Sequence, residues 1–163
     1  MKYRLALLLT ILTMAGANPS HAVDPVSFDD YKNTVGKIDW KAHEITFKQY
    51  KKECQNPAVV ILDLRSEAEY KEGHLKGARL MGADIREEKL KKLVPNKQAK
   101  IIVYCTNTFY PSRRISLNNV CLPQFIALGY PNVFVIEDIW QKDFNRVEKL
   151  KQSSLWEKSE PAK

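Results

Sequence analysis

The chain has 163 residues, 44% of them hydrophobic and 28% charged, with a formal net charge of +7. That length and balance fit one ordinary globular domain, and exclude a disordered polymer or a pair of full-sized domains. The lysines alternate with acids, as across residues 51–54, 86–93 and 146–152, and so read as solvated helix faces. No basic stripe with interleaved aromatics marks a nucleic-acid surface.

Residues 1–22 carry the pattern of a signal peptide. Lys2 and Arg4 precede an apolar stretch from Leu5 to Met14, and small residues frame a cut after Ala22, with a second candidate cut after Ala17. The apolar stretch is short for a membrane span, and no cysteine lies near the cut to carry a lipid. The expected mature protein is therefore exported, periplasmic if the source is bacterial, with no stable membrane anchor after cleavage. Removing 22 of 163 residues leaves 141, and losing Lys2 and Arg4 lowers the charge from +7 to +5. A field of that size is compatible with a small anionic substrate.

Residues 23–43 show no clear period and read as an irregular arm ahead of a domain at 44–152. Ile45-Thr46 ends a short strand, and Thr46 caps a helix running to about Cys54 with Phe47 and Tyr50 on one face. Asn56-Pro57 opens a buried strand from Val59 to Leu64. Ser66 caps a helical turn that Gly73 closes, and Ala78 to Met81 makes another short strand. Ile85 to Val94 is amphipathic and stops at Pro95. Ile101 to Tyr104 is the most apolar run of the mature chain and reads as a buried parallel strand. Leu117, Cys121, Phe125 and Leu128 keep a helical stripe up to Gly129, with a kink or break expected at Pro123. Val133 to Ile136 is the last strand, Trp140 to Leu150 an outer helix, and residues 153–163 a charged, frayed tail. Trp40, Trp140 and Trp156 read as packing anchors. Strands alternating with helices indicate a parallel α/β sheet.

Cys105 ends the most apolar strand, and residues 106–112 read as a loop leading to Arg113 and Arg114. Open α/β folds put their sites at the carboxyl ends of parallel strands, so this thiol is the candidate nucleophile; a buried structural cysteine is the other reading. Three cysteines cannot all pair within one exported chain. A Cys54–Cys121 disulfide that leaves Cys105 free is one arrangement. No His/Cys cluster has zinc-like spacing, so no metal site is indicated.

Residues 60–79 resemble the first signature of the rhodanese domain: an apolar strand, Asp-x-Arg, an acidic turn with tyrosine, then Gly-His-Leu-x-Gly-Ala. Asp63, Arg65, Glu69, Tyr70, Gly73, His74, Gly77 and Ala78 match it, and Cys105 and the run Leu128 to Val133 match the family's second half in order and placement. The resemblance spans roughly residues 44 to 140. It implies a five-stranded parallel sheet flanked by helices in a single domain, and a sulfurtransferase without a cofactor. Cys105 would take sulfane sulfur from a small anionic donor such as thiosulfate and pass it to a thiol or cyanide. A thiolate is the nucleophile in such chemistry, and the covalent persulfide splits one transfer into two easier steps. Thr106, Asn107, Thr108, Arg113 and Arg114 are the candidate substrate-binding residues.

Asp63, Arg65 and His74 take supporting structural roles: a buried carboxylate capping loop N–H groups, an ion pair fixing the turn, and a hydrogen bond holding the Gly-His-Leu turn. Phe109 and Tyr110 wall or shield the pocket, or dock a partner. Three departures from the family pattern bear on the site. Arg113 stands eight residues after Cys105, where the family has five and related phosphatases six; residues 106–112 hold no glycine; and Glu137-Asp138 stand near the place of the usual Gly-Gly. Asn107 could supply a left-handed turn, whereas Pro111 removes a backbone donor. A carboxylate near the pocket would work against an anionic donor. The alternative reading is a non-catalytic module binding a protein partner through the 106–114 loop. Phosphatase action at the same thiol ranks last.

Overall fold

The computed structural model describes residues 28–111 and 116–159, so the signal-peptide reading and the placements of Arg113 and Arg114 lie outside it. The strands are β1 (Glu44–Ile45), β2 (Val59–Asp63), β3 (His74–Leu75), β4 (Arg79–Leu80), β5 (Lys100–Tyr104), β6 (Val133–Ile136) and β7 (Trp156–Glu157). The helices are α1 (Phe28–Lys37), α2 (Phe47–Glu53), α3 (Glu67–Glu72), α4 (Glu87–Leu93), α5 (Thr106–Phe109), α6 (Leu117–Ala127), α7 (Ile139–Lys142) and α8 (Asn145–Lys151).

Five strands form the expected parallel sheet, in the order β1-β6-β5-β2-β4. β2 and β5 lie inside it and pair along their whole length, from Val59 opposite Lys100 to Asp63 opposite Tyr104. Successive side chains of a strand point to opposite faces, and β5 divides the core accordingly. Ile101 and Val103 join Leu62, Leu90 and Phe125 on the face covered by α4 and α6; Ile102 and Tyr104 join Ile45, Tyr50 and Val147 on the face covered by α2 and α8.

The helix starts are written locally. Thr46 and Ser66 each close a capping box, with Gln49 and Glu69 returning the bond. Pro123 does not break α6. A mid-helix proline costs about 3 kcal/mol, but Cys121, Leu122 and Phe125 around it are fully buried, and each such apolar side chain contributes about 1.5–3 kcal/mol. Packing outweighs the lost donor, and Leu117–Ala127 stays one helix.

Four expectations need correction. The arm is not irregular throughout: α1 and a 3₁₀ turn at Trp40–His43 precede β1, and α1 lies against α6. Trp40 is no packing anchor, being 38% exposed. The outer helix divides into α7 and α8 because Asp143 is extended and its Oδ1 accepts the Asn145 N–H at 2.9 Å, starting the chain afresh. The tail does not fray from Ser153. β7 pairs antiparallel with β3, and Trp156 packs so closely on Gly73 that a Cβ there would lie 2.1 Å from the indole Nε1.

Candidate active site

Continuing the alternation of β5, Cys105 points to the α6 face and is fully buried. Its Sγ lies 3.6 Å from Ser116 Oγ. Ser116 is the residue before α6, a place where serine commonly caps the helix with its side chain. Here the hydroxyl makes no capping bond and turns to the thiol instead.

The stretch after the cysteine, read from sequence as loop, begins as the helical turn α5 with Cys105 at its N-cap. The Cys105 N–H donates to Thr108 Oγ1 at 3.3 Å, and the Cys105 carbonyl accepts from the Thr108 N–H at 3.0 Å. Thr106 Oγ1 donates to Glu69 Oε1 at 2.7 Å, and the Asn107 carbonyl accepts from Trp140 Nε1 at 2.8 Å. The Thr106 and Thr108 hydroxyls offered as substrate-binding are thus engaged within the protein, as is the Asn107 carbonyl. Asn107 makes no left-handed turn; among the described residues only glycines have positive φ. Phe109, at the end of this turn, is drawn into the core. Its ring meets Tyr104 and Trp156 edge-on, each at 5.4 Å between centroids, and that burial holds the turn closed. Tyr110 is half-buried under the Lys151 ammonium, 5.0 Å above its ring.

Asp63 and Arg65 form a buried cluster beside this turn. Arg65 donates to both carboxylate oxygens, at 2.6 Å from Nη2, and to the Gly73 carbonyl at 2.7 Å. The Arg65 N–H and the Tyr104 hydroxyl donate to the same carboxylate. The guanidinium lies over the rings of Tyr104, Phe109 and Trp156. Burial, with Asp63 beside it, pushes the Tyr104 phenol far above its ordinary pKa, so it stays a donor. His74 stacks on Tyr70 at 3.8 Å, bonds the Tyr70 carbonyl through Nδ1, and sits 3.3 Å from Glu157 Oε1 through Nε2. These contacts tie β2, α3, β3 and β7 together.

Cys54 and Cys121 do not pair. All three cysteines are free, and Cys54 packs on the α2–α8 side of the sheet while Cys121 is buried on the α4–α6 side with Cys105. A sheet stands between them, beyond disulfide reach. Burial first, and the nearby Cys105 second, push the Cys121 thiol up to about 12. Among the described residues no group of three or more His, Cys, Asp or Glu could hold a metal ion, and no helix is long and apolar enough to cross a membrane.

A cavity of about 280 Å³ opens at the carboxyl edge of the sheet, between the start of α6 and the segment after β6. Ser116, Asn118 and Leu122 form one wall, Glu137, Asp138 and Gln141 another. Ser116 therefore stands between this cavity and the thiol. Sequence reasoning looked to the arginines and missed Ser116 and Asn118. The signal was a serine directly ahead of an expected helix start.

A family model described as Rhodanese-like domain matches residues 46–142, more than half of the chain. Comparison with curated proteins returns no match. Among solved structures, the chain is similar to the rhodanese-like domain of the Alr3790 protein from Anabaena sp., at 18% identity over 74% of this chain and 86% of that one, with a TM-score of 0.52. It is likewise similar to SseA from Escherichia coli, described with the rhodanese fold of 3-mercaptopyruvate sulfotransferases, at 16% identity over 73% of this chain and 52% of that one, with a TM-score of 0.51. At these identities the likeness speaks to the fold.

Proposed function

The chain belongs to the rhodanese-like domain family, and on that premise we propose that it is a sulfurtransferase whose sulfur carrier is Cys105. The observation that carries the reading is the thiol at the carboxyl end of β5, at the N-cap of α5, with the Ser116 hydroxyl 3.6 Å from Sγ. In the first half-reaction the Cys105 thiolate attacks the outer sulfur of a donor such as thiosulfate. A new S–S bond forms, the donor's own S–S bond breaks, and sulfite leaves with the electron pair. In the second, an acceptor thiolate or cyanide attacks the terminal sulfur and the electron pair returns to Sγ. The Ser116 hydroxyl is available to donate to the anionic sulfur at both stages, since no capping bond competes for it. The amino-terminal pattern favours an exported setting, and the reaction calls for no cofactor.

One observation favours the rival reading, a rhodanese-like module that binds a partner protein without catalysis: Cys105 has no exposed surface. A sulfur carrier must open that cover to meet its donor. Steady-state transfer from thiosulfate to cyanide decides between the two. The carrier reading expects turnover in the wild type and only background in Cys105→Ser with unchanged circular dichroism. Equal rates in the two proteins would remove it.

A further inference from the structure

A second cavity, of about 520 Å³, is bounded by α2 and α8. Its apolar lining is Phe47, Leu150 and Leu155, which belong to the core on the α2–α8 side of the sheet. Cys105 belongs to the core on the α4–α6 side. The sheet therefore stands between this cavity and the thiol, and the proposed sulfur transfer does not account for it.

The charges around the cavity are nearly all of one sign. Lys48 and Lys51 stand three residues apart on α2, and Arg146 and Lys149 three apart on α8, a spacing that puts each pair on one helix face. All four line the cavity and are exposed. Lys48 and Arg146 are the second residues of their helices, where the helix dipole disfavours a cation. The helices themselves thus give no reason for a cation at either place.

The rest of the polar lining is already engaged. Glu137 Oε1 accepts the Phe47 N–H at 3.0 Å, and Oε2 lies 3.8 Å from Lys142 Nζ. The Ser153 hydroxyl donates to the Leu150 carbonyl at 2.7 Å and accepts the Leu155 N–H at 3.2 Å. The four cations add donors and no acceptor, since ammonium and guanidinium groups only donate. Lys51 Nζ stands 5.5 Å from the centroid of the Phe47 ring, which places positive charge directly over the apolar lining.

We propose that this cavity binds a small organic anion, a carboxylate carried on an apolar body. The apolar body packs on Phe47, Leu150 and Leu155, and the carboxylate accepts from Lys51 and the cations of the facing helix. The volume falls in the range of small-molecule sites, about 300–1,000 Å³. A ligand held in this way joins α2 to α8 and is no participant in the chemistry at Cys105.

The test is NMR titration of the wild-type protein at pH 7 with octanoate, octylammonium and acetate. Octanoate is expected to shift the backbone signals of Phe47, Lys51, Leu150 and Ser153 saturably. It should bind at least about tenfold tighter than acetate, which lacks the apolar chain, and than octylammonium, which reverses the charge. Lys51→Gln and Arg146→Gln, both at exposed positions, should each weaken octanoate severalfold. No saturable shift with octanoate at millimolar concentration overturns the proposal, as does equal binding of octylammonium. Equal binding of acetate would reduce the site to surface charge and overturn it too. Adsorption to vesicles of anionic lipid without saturable octanoate binding would make this face a membrane contact, against the proposal. The titration uses no sulfur donor, so its outcome is separate from that of the sulfur-carrier reading.

Discussion

At the residue scale, the account turns on two side chains whose hydrogen-bonding capacity is spent unusually. Ser116 leaves its helix uncapped and faces Cys105 Sγ. A hydrogen bond to a charged partner is worth about 1.5–3 kcal/mol, and each 1.36 kcal/mol is tenfold in rate. Ser116→Ala should therefore slow persulfide formation about 10- to 100-fold while leaving the unfolding midpoint nearly unchanged; a rate within twofold of wild type in a single-turnover assay would deny Ser116 the role. Asp63 works in the opposite sense, through structure alone. It neutralises Arg65, which is 6% exposed, so Asp63→Ala leaves a buried guanidinium without its anion. Removing one partner of such a pair costs about 3–5 kcal/mol, which urea denaturation should read directly. The Asp-x-Arg spacing was legible in the sequence because both ends of the pair lie in one local turn. Ser116 was not, because its approach to Cys105 depends on how α6 docks on the sheet.

At the scale of elements, the capping boxes and the buried strands were readable from local residue types, and they are where expected: Thr46 with Gln49, Ser66 with Glu69, and β5 ending at Cys105. The elements that escaped are those decided by distant contacts. β7 consists of two residues in a charged stretch with no strand pattern, and exists because Trp156 finds the bare backbone of Gly73 and the Arg65 guanidinium. α5 looked like loop because nothing in Thr106 to Phe109 announces that Phe109 will be buried between Tyr104 and Trp156. Gly73 has φ near 150° and no space for a side chain, so Gly73→Ala is strained twice over. It should cost about 1–3 kcal/mol by overpacking and expel Trp156, seen as a fluorescence shift toward that of exposed tryptophan and as faster hydrogen exchange at β3 and β7. Unchanged emission would mean that β7 does not depend on this contact.

At the scale of the whole molecule, Glu69 couples the α3 cap to the turn after Cys105, accepting from the Ser66 hydroxyl and N–H and from Thr106 Oγ1. Burial alone would raise its carboxyl pKa; the hydrogen bonds from Ser66 and Thr106 outweigh that and hold it below the usual range. A carboxylate lowered in the native state contributes stability that is full above its unfolded value, about 4.3, and lost as pH falls through the lower native value. The urea midpoint should accordingly drop as pH falls below about 4.3, and Glu69→Gln should be less sensitive to acid over the same window. An identical acid profile in wild type and Glu69→Gln would show that the coupling carries no stability. The fold as a whole puts an apolar strand, a cysteine at its end and a cavity at one edge of a parallel sheet, an arrangement to which the proposed sulfur transfer would give a purpose. The claim is tested most directly by mass spectrometry of the intact protein after thiosulfate treatment, with the adduct mapped to its residue. The account predicts a mass gain of one sulfur atom on Cys105, removed by an added thiol and absent from Cys105→Ser. An unmodified Cys105, or the sulfur found on Cys54 instead, would contradict it.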